Sequence, residues 1–310
     1  MAKTDLTKKL LSRFDRLSGQ RQTWETHWQE VADYMLPRKA DITKQRSRGD
    51  KRMELIFDSS PLQALELLAA SLHGMLTNPS TPWFTLRFKE SSMENEEEGK
   101  VWLEAATEIM YTAFNRSNFQ QEIFELYHDL ITFGTAAMFI EEDEKDIIKF
   151  STRHINEVYI AENDKGRIDT IYRKFNLSAR ALIQKFGNKV SSDVETFAKK
   201  DPYAEIPLIH AVYPRNDFDP KKKDKSNMPF ESVYIEQKTG NELSVSGFKE
   251  FPFVVPRYLK ASQEIYGRSP AMTALPDVKM LNEMSKVTIK AAQKQVDPPL
   301  LVPDDGFLLP

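Results

Sequence analysis

Apolar residues in the first half of the chain recur every three or four positions, which is the spacing of amphipathic helices. The pattern predicts one helix through Leu10, Phe14 and Leu17, followed by a second helix that Pro37 ends. A third helix is predicted from the capping box Ser60-Pro61-Leu62-Gln63 to Leu76, and its apolar residues on nearly all sides predict that it is buried. The remaining positions at helical spacing are Trp24, Trp28, Val31 and Met35 in the second helix, Trp102, Ala105, Ile109 and Ala113 in a fourth, and Phe119, Ile123, Leu126, Leu130 and Phe133 in a fifth.

The pattern changes to short β-type runs after Gly134. The predicted strands are Ala136–Ile140, Ile147–Phe150, Val158–Ile160, Ile168–Phe175, Ile206–Tyr213, Ser232–Gln237 and Phe253–Tyr258, with an earlier one at Trp83–Phe88 and a hairpin turn at Asn163–Gly166. Two short helices are predicted near Ser178–Phe186 and Ser192–Lys199, and a long one from about Pro276 to Val296, where Asp297-Pro298-Pro299 ends it. The predicted fold class is α+β, with a mainly helical N-terminal half, a β-rich middle and a long helix near the C-terminus.

Composition narrows the classes of function. The chain has 310 residues and a net charge of −3, so it is not a polycation built to hold nucleic acid tightly. It contains no cysteine, which excludes thiol nucleophiles, disulfides and thiolate zinc sites. The N-terminal residues lack the apolar core of a signal peptide, and no run of eighteen apolar residues occurs. We therefore expect a soluble protein that is assembled in a reducing compartment and does not enter a membrane.

The motifs of nucleotide and metal enzymes are missing from the sequence. The 11 glycines are scattered, so no phosphate-binding loop, dinucleotide fingerprint or nucleophile elbow can be formed from them. The histidines are isolated, without a second histidine at the spacing of helical metal ligands, and we expect them to be hydrogen-bonded structural residues. The sequence predicts no catalytic residue, no metal site and no cofactor.

One constellation offers an enzymatic alternative. Asp219 precedes Glu236-Gln237-Lys238 at the end of a predicted strand, which matches the loose acid and Glu-x-Lys pattern of metal-dependent nucleases. In such an enzyme two carboxylates hold Mg²⁺ and the lysine assists a water nucleophile. A solvated strand end has the same composition. The nuclease hypothesis therefore requires Asp219, Glu236 and Lys238 to converge in the fold.

Two basic features are candidates for contact with DNA or with a neighbouring subunit. The segment Arg38–Arg52 holds seven basic and two acidic residues, which is typical of a mobile loop or arm, and Arg46, Arg48, Lys51 and Arg52 are its candidate contacts to phosphates or to an acidic subunit. On the long terminal helix, Lys279, Lys286, Lys290 and Lys294 fall within one narrow arc, while Met280, Leu281, Met284, Val287 and Ala291 occupy another face. Such a helix either lies on a domain surface or lines a groove or channel with its charged stripe.

Several short stretches carry a resemblance to a known family. They are Gly74-Met75-Leu76-Thr77-Asn78-Pro79 followed by Pro82-Trp83-Phe84, then Phe133-Gly134-Thr135-Ala136, then Tyr266-Gly267-Arg268-Ser269-Pro270 with the Leu281-Asn282 helix behind it, and finally Asp297-Pro298-Pro299-Leu300. In this order they resemble the head-to-tail connector, or portal, proteins of short-tailed bacteriophages. The resemblance spans most of the chain.

The resemblance implies a non-enzymatic subunit of a ring, usually dodecameric, at one vertex of the virion capsid, assembled in the host cytoplasm. It implies a conduit for packaging and ejecting double-stranded DNA, without sequence-specific binding. The implied partners are the major capsid and scaffolding proteins, the terminase and tail adaptor proteins. By analogy, residues 1–57 form N-terminal helices and the basic arm, residues 58–270 a wing-type domain, residues 271–297 a stem-type helix beside the channel, and residues 298–310 the start of a clip. Family members continue past this point, so we expect this chain to be a truncated or partial product.

Overall fold

The helices of the N-terminal half pack against one another and against two antiparallel sheets. The computed structural model describes residues 5–44, 46–47, 49–89, 97–221, 224 and 227–298. Its helices are α1 (Asp5–Met35), α2 (Ser60–Leu76), α3 (Glu97–Arg116), α4 (Phe119–Phe133), α5 (Ala179–Phe186), α6 (Ser192–Lys200) and α7 (Pro270–Val296). Its strands are β1 (Ala137–Asp143), β2 (Ile147–Arg153), β3 (Val158–Glu162), β4 (Ile168–Ser178), β5 (Glu205–Pro214), β6 (Phe230–Glu236), β7 (Glu242–Phe248) and β8 (Phe253–Val254). The predicted α+β class is confirmed.

The strands form two sheets that share one core. The first has the order β2-β1-β8 and the second the order β3-β4-β5-β6-β7, with antiparallel neighbours throughout. The main core joins the second half of α1 to α2, α4, the start of α7, the first sheet and residues of β3, β4 and β5 from the second sheet. The first half of α1 instead packs Leu10 and Phe14 against the five-stranded sheet. The opposite face of that sheet is covered in part by α5 and α6.

The prediction of two separate N-terminal helices is wrong, because α1 is one helix of 31 residues. The fully buried Arg21 lies at the point where the two predicted helices meet. Its guanidinium donates to the carbonyls of Ile155 at 2.9 Å and Asn156 at 2.8 Å, and it pairs with Glu25. An arginine in this position satisfies carbonyls of the turn that precedes β3, so the polar stretch between the apolar halves continues as helix.

The segment Trp83–Phe88 has no regular secondary structure and does not belong to a strand. Its amide groups are bound by side chains of α3: Tyr111 Oη accepts from Trp83 and Phe84, each at 2.6 Å, and Thr107 Oγ1 accepts from Leu86 at 3.2 Å. Trp83 packs within the same chain, with its ring parallel to that of Phe119 at 5.8 Å between centroids. The alternating pattern therefore belongs to an irregular segment whose amides bind side chains of a helix rather than a neighbouring strand.

Three other predictions need correction. Helix α2 is not buried all round, since Leu67 and Met75 are about seven-tenths exposed and only Leu65 and Ala69 are buried. Its capping box does not form, because Ser59 is the N-cap and Asp58 accepts from the Ser60 amide. The predicted strand Phe253–Tyr258 shrinks to two residues, whereas β7 was missed. The hairpin turn after β3 is confirmed, with the Asn163 amide 2.8 Å from the Arg167 carbonyl.

Candidate functional site: the terminal helix and the basic segment

The long helix α7 starts from a tight contact between two loops, which we call the glycine junction (residues 132–135 with residues 266–269). Gly134 ends α4 in a left-handed conformation with φ 74°, and a Cβ on it would collide with the carbonyl of Gly267. The Gly267 amide donates to Thr135 Oγ1 at 2.7 Å, and Ser269 Oγ donates to the Thr132 carbonyl at 2.8 Å. Two stretches that lie more than 130 residues apart in the sequence are thus in backbone contact.

Aromatic residues and a helix cap hold the junction in place. The indole N–H of Trp28 donates to the Phe133 carbonyl at 3.1 Å, and its ring packs edge-on against Tyr266 at 5.0 Å. Ser269 is the N-cap of α7 and accepts from the Met272 amide at 3.0 Å. Because this cap lies before Pro270, α7 begins six residues earlier than the predicted start at Pro276, which lies inside the helix. The junction therefore sets the direction in which α7 leaves the domain.

A second attachment, the Asn282 clamp, fixes the middle of α7. The Asn282 side chain is buried, and its Oδ1 accepts from the amides of Phe57 at 2.7 Å and Asp58 at 3.2 Å. Its Nδ2 donates to the Leu55 carbonyl at 2.8 Å. One amide side chain thus satisfies three backbone groups of the segment that joins the basic segment to α2.

The structure separates the four lysines that the sequence placed on one arc. Lys279 pairs with Glu30 at 2.6 Å, which raises its pKa, and Lys286 pairs with Glu283 at 3.0 Å and lies 5.8 Å from the Phe57 ring. Lys290 and Lys294 are exposed beyond the Asn282 clamp. Of the four, Lys290 and Lys294 are therefore the ones presented to solvent without an ion pair in the part of the chain that the structure describes.

The second half of α7 also exposes an apolar stripe. Met280, Met284 and Val287 are each more than half exposed, and Leu281 is 40% exposed. Ala291 continues the same face, and Val296 near the helix end is 87% exposed. Apolar side chains that repeat on one helix face are normally covered, so this stripe is a candidate contact surface.

The basic segment Arg38–Arg52 is tied to the domain over much of its length, so the expectation of a mobile arm needs correction. The Gln29 side chain accepts from the amides of Ile42 at 3.0 Å and Thr43 at 2.9 Å, and donates to the Ala40 carbonyl at 2.7 Å. Such bonds from a buried amide fix the turn that follows Pro37.

Most of the positive charge in this segment is paired within the chain. Lys39 contacts both Glu125 at 2.6 Å and Asp129 at 2.5 Å. Arg46 lies 3.3 Å from Asp33, and Arg52 lies 2.5 Å from Asp41. Lys51 is exposed, and Arg48 lies outside the described residues. The candidate contacts Arg46 and Arg52 are thus already engaged in intramolecular ion pairs.

The buried Asp129 and the partly buried His154 belong to one polar network around Lys39. Burial raises the pKa of Asp129, while Lys39 opposes this shift. Burial lowers the pKa of His154, against the opposing effect of Asp129. His154 Nδ1 accepts from the Asn156 amide, which requires the neutral ring, and Nε2 lies 3.0 Å from the Lys39 carbonyl. His154 is therefore a structural residue that holds the basic segment in place.

The other histidines have structural contacts, with one exception. His73 contacts Gln120 at 2.9 Å, His128 contacts Glu66 at 2.8 Å, and His210 contacts Ser232 at 2.9 Å. His27 differs from the expectation, because its buried Nε2 has no hydrogen-bond partner among the described residues.

The nuclease alternative is wrong. Glu236 is buried and accepts from Ser191 Oγ and from Thr239 Oγ1, each at 2.6 Å, so it is a structural carboxylate at the start of α6. Asp219 lies in the loop between β5 and β6, at the Phe230 end of β6, whereas Glu236 and Lys238 lie at the other end. A strand of this length separates its ends by about 20 Å. Within the described residues no group of three histidine or acidic side chains could hold a metal ion.

The amino-acid sequence matches a known protein family over nearly its whole length. Residues 7–309 match the family model described as bacteriophage head to tail connecting protein. The chain belongs to this family. Its relatives include the probable portal protein of Bordetella phage BPP-1, 34% identical over 308 residues, and the portal protein of Salmonella phage epsilon15, 32% identical over 309 residues. The resemblance stated from the short motifs is confirmed.

The extent of the match differs between this connector chain and its relatives. Each alignment covers 98% of this chain but only 56% of the Bordetella phage protein and 55% of the Salmonella phage protein. The chain therefore spans about half the length of the curated relatives it matches. Portal proteins are structural components of the virion rather than enzymes, in agreement with the prediction of a non-enzymatic protein.

Sequence reasoning placed the motif residues in the right order but missed what they do. In the sequence, Gly134, Gly267 and Asn282 are recognisable only as parts of the family resemblance, and no local pattern marks Arg21. Residues 299–310, which include most of the predicted clip, lie outside the described residues.

No helix among the described residues is both long enough and apolar enough to span a membrane.

Proposed function

We propose that this chain is part of a portal ring at one capsid vertex, through which double-stranded DNA is packaged and ejected. The single observation that carries the proposal is the family match over residues 7–309. In this proposal residues 1–57 and 58–270 form the wing side of the subunit, residues 271–297 form a stem, and residues 298–310 begin a clip. Terminase and tail adaptor proteins dock on the ring, while capsid and scaffolding proteins surround it.

The exposed half of α7 supports the assembly part of this proposal. Its apolar stripe has no cover within the described chain, and a repeated copy related by rotation supplies an apolar partner of matching length. The Asn282 clamp and the glycine junction hold α7 at one angle to the domain, and closed rings need such a fixed angle. We propose a ring, with twelve subunits as the usual number in this family.

Weak electrostatic contact with DNA supports the conduit part. Each phosphate that a cation neutralises adds affinity through counterion release, so many such contacts would immobilise the duplex. The chain has a net charge of −3, and its basic segment is largely paired internally. We propose that Lys290 and Lys294 face the duplex and permit it to slide.

Assembly is tested with one substitution on the apolar stripe. We expect Met284→Asp, made in the complete gene product, to prevent ring formation while leaving the fold intact, because Met284 is 59% exposed in the single chain. Light scattering gives the mass, and electron microscopy shows whether annular particles form. Lys290→Glu, which lies further along α7 on a different face of the helix, is the matched control and should still form rings.

The outcomes decide the proposal clearly. Rings from the unaltered protein and from Lys290→Glu, but not from Met284→Asp, support it. Only monomers or dimers from the unaltered protein would contradict it.

A further inference from the structure

A group of cations lies at the seam between the two sheets, away from α7 and the basic segment. We call Lys149, Arg153, Arg173 and Lys185 the cationic seam. Arg173 on β4 lies opposite His210 on β5, and His210 lies opposite Tyr234 on β6. Residues directly opposite in an antiparallel sheet project from the same face, so these three form a row across the five-stranded sheet.

Neighbouring elements approach this row from two sides. From α5, Lys185 Nζ lies 4.7 Å from the centre of the Tyr234 ring. From the three-stranded sheet, Phe139 lies 6.1 Å from His210, and the guanidinium of Arg153 lies 5.8 Å from Phe139. The row is therefore the floor of a seam whose walls carry arginine and lysine.

The seam contains more positive than negative charge. Arg173 pairs with Glu157 at 2.7 Å, and Lys149 lies 3.6 Å from Glu141. Among the residues that the structure describes, neither Arg153 nor Lys185 forms an ion pair or a side-chain hydrogen bond. Arg153 Nε is buried and has no acceptor. A buried N–H on a charged group without an acceptor is costly, so an acceptor is expected there.

The titrating groups of the seam respond to this excess of charge. Burial lowers the pKa of His210 well below its usual range, and Arg173, Lys185 and Arg153 lower it further. Burial is also the largest cause of the lowered pKa of Arg153, followed by the charge of Arg173. Lys185 is exposed as a residue, but partial burial of its ammonium group over Tyr234 lowers its pKa, with Glu141 opposing the shift.

We propose that Arg153, Arg173 and Lys185 bind a dianionic phosphate, either free or as the monoester of a nucleotide. The four cations of the seam face the two carboxylates Glu141 and Glu157, which leaves an excess of two positive charges for the ligand. A carboxylate ligand would neutralise only one of them. Arginine forks suit phosphate because they donate two parallel N–H bonds to its oxygens, and the buried Nε of Arg153 supplies a donor that needs such an acceptor.

The test compares ligands and variants in the full chain. Isothermal titration calorimetry at constant ionic strength measures binding of inorganic phosphate, of adenosine monophosphate and of a short DNA duplex without terminal phosphates. Lys185→Gln and Arg153→Gln should each weaken binding of the phosphate dianion by about tenfold or more, since each removes one charged donor. Arg180→Gln removes a cation from the exposed part of the same helix α5 and should bind like the unaltered chain.

Each result has a defined meaning. Binding of phosphate or of the monoester that is lost in Lys185→Gln and kept in Arg180→Gln supports the proposal, and the two arms identify the source of the phosphate. Lys185 is exposed, so its variant keeps the test decisive even if Arg153→Gln does not fold. Three results would overturn the proposal. They are the absence of saturable binding, equal binding by Lys185→Gln and Arg180→Gln, and binding of the duplex alone.

Discussion

At the scale of single residues, the absence of a side chain at Gly134 permits the close contact of the two loops in the glycine junction. Its φ of 74° favours glycine, and the carbonyl of Gly267 occupies the space that a Cβ would need. A substitution at Gly134 therefore lowers the free energy of unfolding for two reasons, which are backbone strain and a steric collision with another loop. Gly49 also has a positive φ, of 88°, but a Cβ there meets nothing within 4 Å.

We expect Gly134→Ala to lower the free energy of unfolding by about 3 kcal/mol or more, because the junction must open to admit the methyl group. Gly49→Ala, which has the strain without the collision, should cost only about 1–2 kcal/mol. Urea denaturation of both variants measures the difference. Equal losses in the two variants would show that the contact between the loops adds nothing.

A pH dependence follows from the partly buried His154 and the buried His210, because desolvation lowers the pKa of each. The native chain keeps them neutral, whereas the unfolded chain takes up protons as the pH falls through about 6.5. Their contribution to stability is therefore present above that pH and lost below it, by up to about 1.4 kcal/mol per pH unit for each proton.

We expect His154→Asn to reduce the loss of stability between about pH 7.5 and pH 5.5, since asparagine keeps an acceptor for the Asn156 amide but does not titrate. The urea midpoint of each protein, measured at both pH values, tests this. If the urea midpoint of His154→Asn falls between the two pH values as much as that of the unaltered chain, His154 does not contribute to the loss of stability.

At the scale of elements, α7 depends on its two attachments. The glycine junction fixes its first turn, and the Asn282 clamp holds residues 55–58 against its middle. Because the clamped residues join the basic segment to α2, the clamp ties three parts of the chain together. Beyond Asn282 the helix makes few contacts with the domain, and its stripe is left for another surface.

We expect Asn282→Ala to cost about 1–3 kcal/mol, because it leaves the Phe57 and Asp58 amides and the Leu55 carbonyl without their partners. Hydrogen exchange should become faster at the Phe57 and Asp58 amides. Asn282→Asp keeps the acceptor for both amides but loses the donor to Leu55, so its exchange rates should lie between those of the other two proteins. Unchanged exchange in Asn282→Ala would mean that the clamp does not hold this segment.

At the scale of the whole molecule, most of the positive charge of the basic segment, and that of Lys279 on α7, is paired within the chain. The basic segment is paired with acids from α1 and α4, and Lys279 is paired with Glu30. The remaining lysines of α7 lie on its exposed half. This arrangement suits the proposed conduit, in which a duplex must slide.

We expect the pair Lys290→Glu and Lys294→Glu to reduce DNA retention in assembled rings, while changing the stability of the fold by no more than about 0.5 kcal/mol. Retention after a salt wash and thermal unfolding are the two measurements. Lys199→Glu with Lys200→Glu makes the same change of charge on α6 and serves as the control. An equal loss of DNA in the control would contradict the proposal that α7 lines the channel.

The sequence by itself determined most elements, the absence of nucleotide and metal motifs, and the family. Apolar periodicity fixes helices such as α4 because it acts within a few residues, and the family motifs are read in order along the chain. The continuity of α1, the pairing of Trp83–Phe88 with a helix, and the separation of Asp219 from Glu236 were decided only by the tertiary structure. The same holds for the basic segment, whose partner Asp129 is 90 residues away from Lys39. These features depend on which distant groups meet in space, and local patterns carry no information about such meetings.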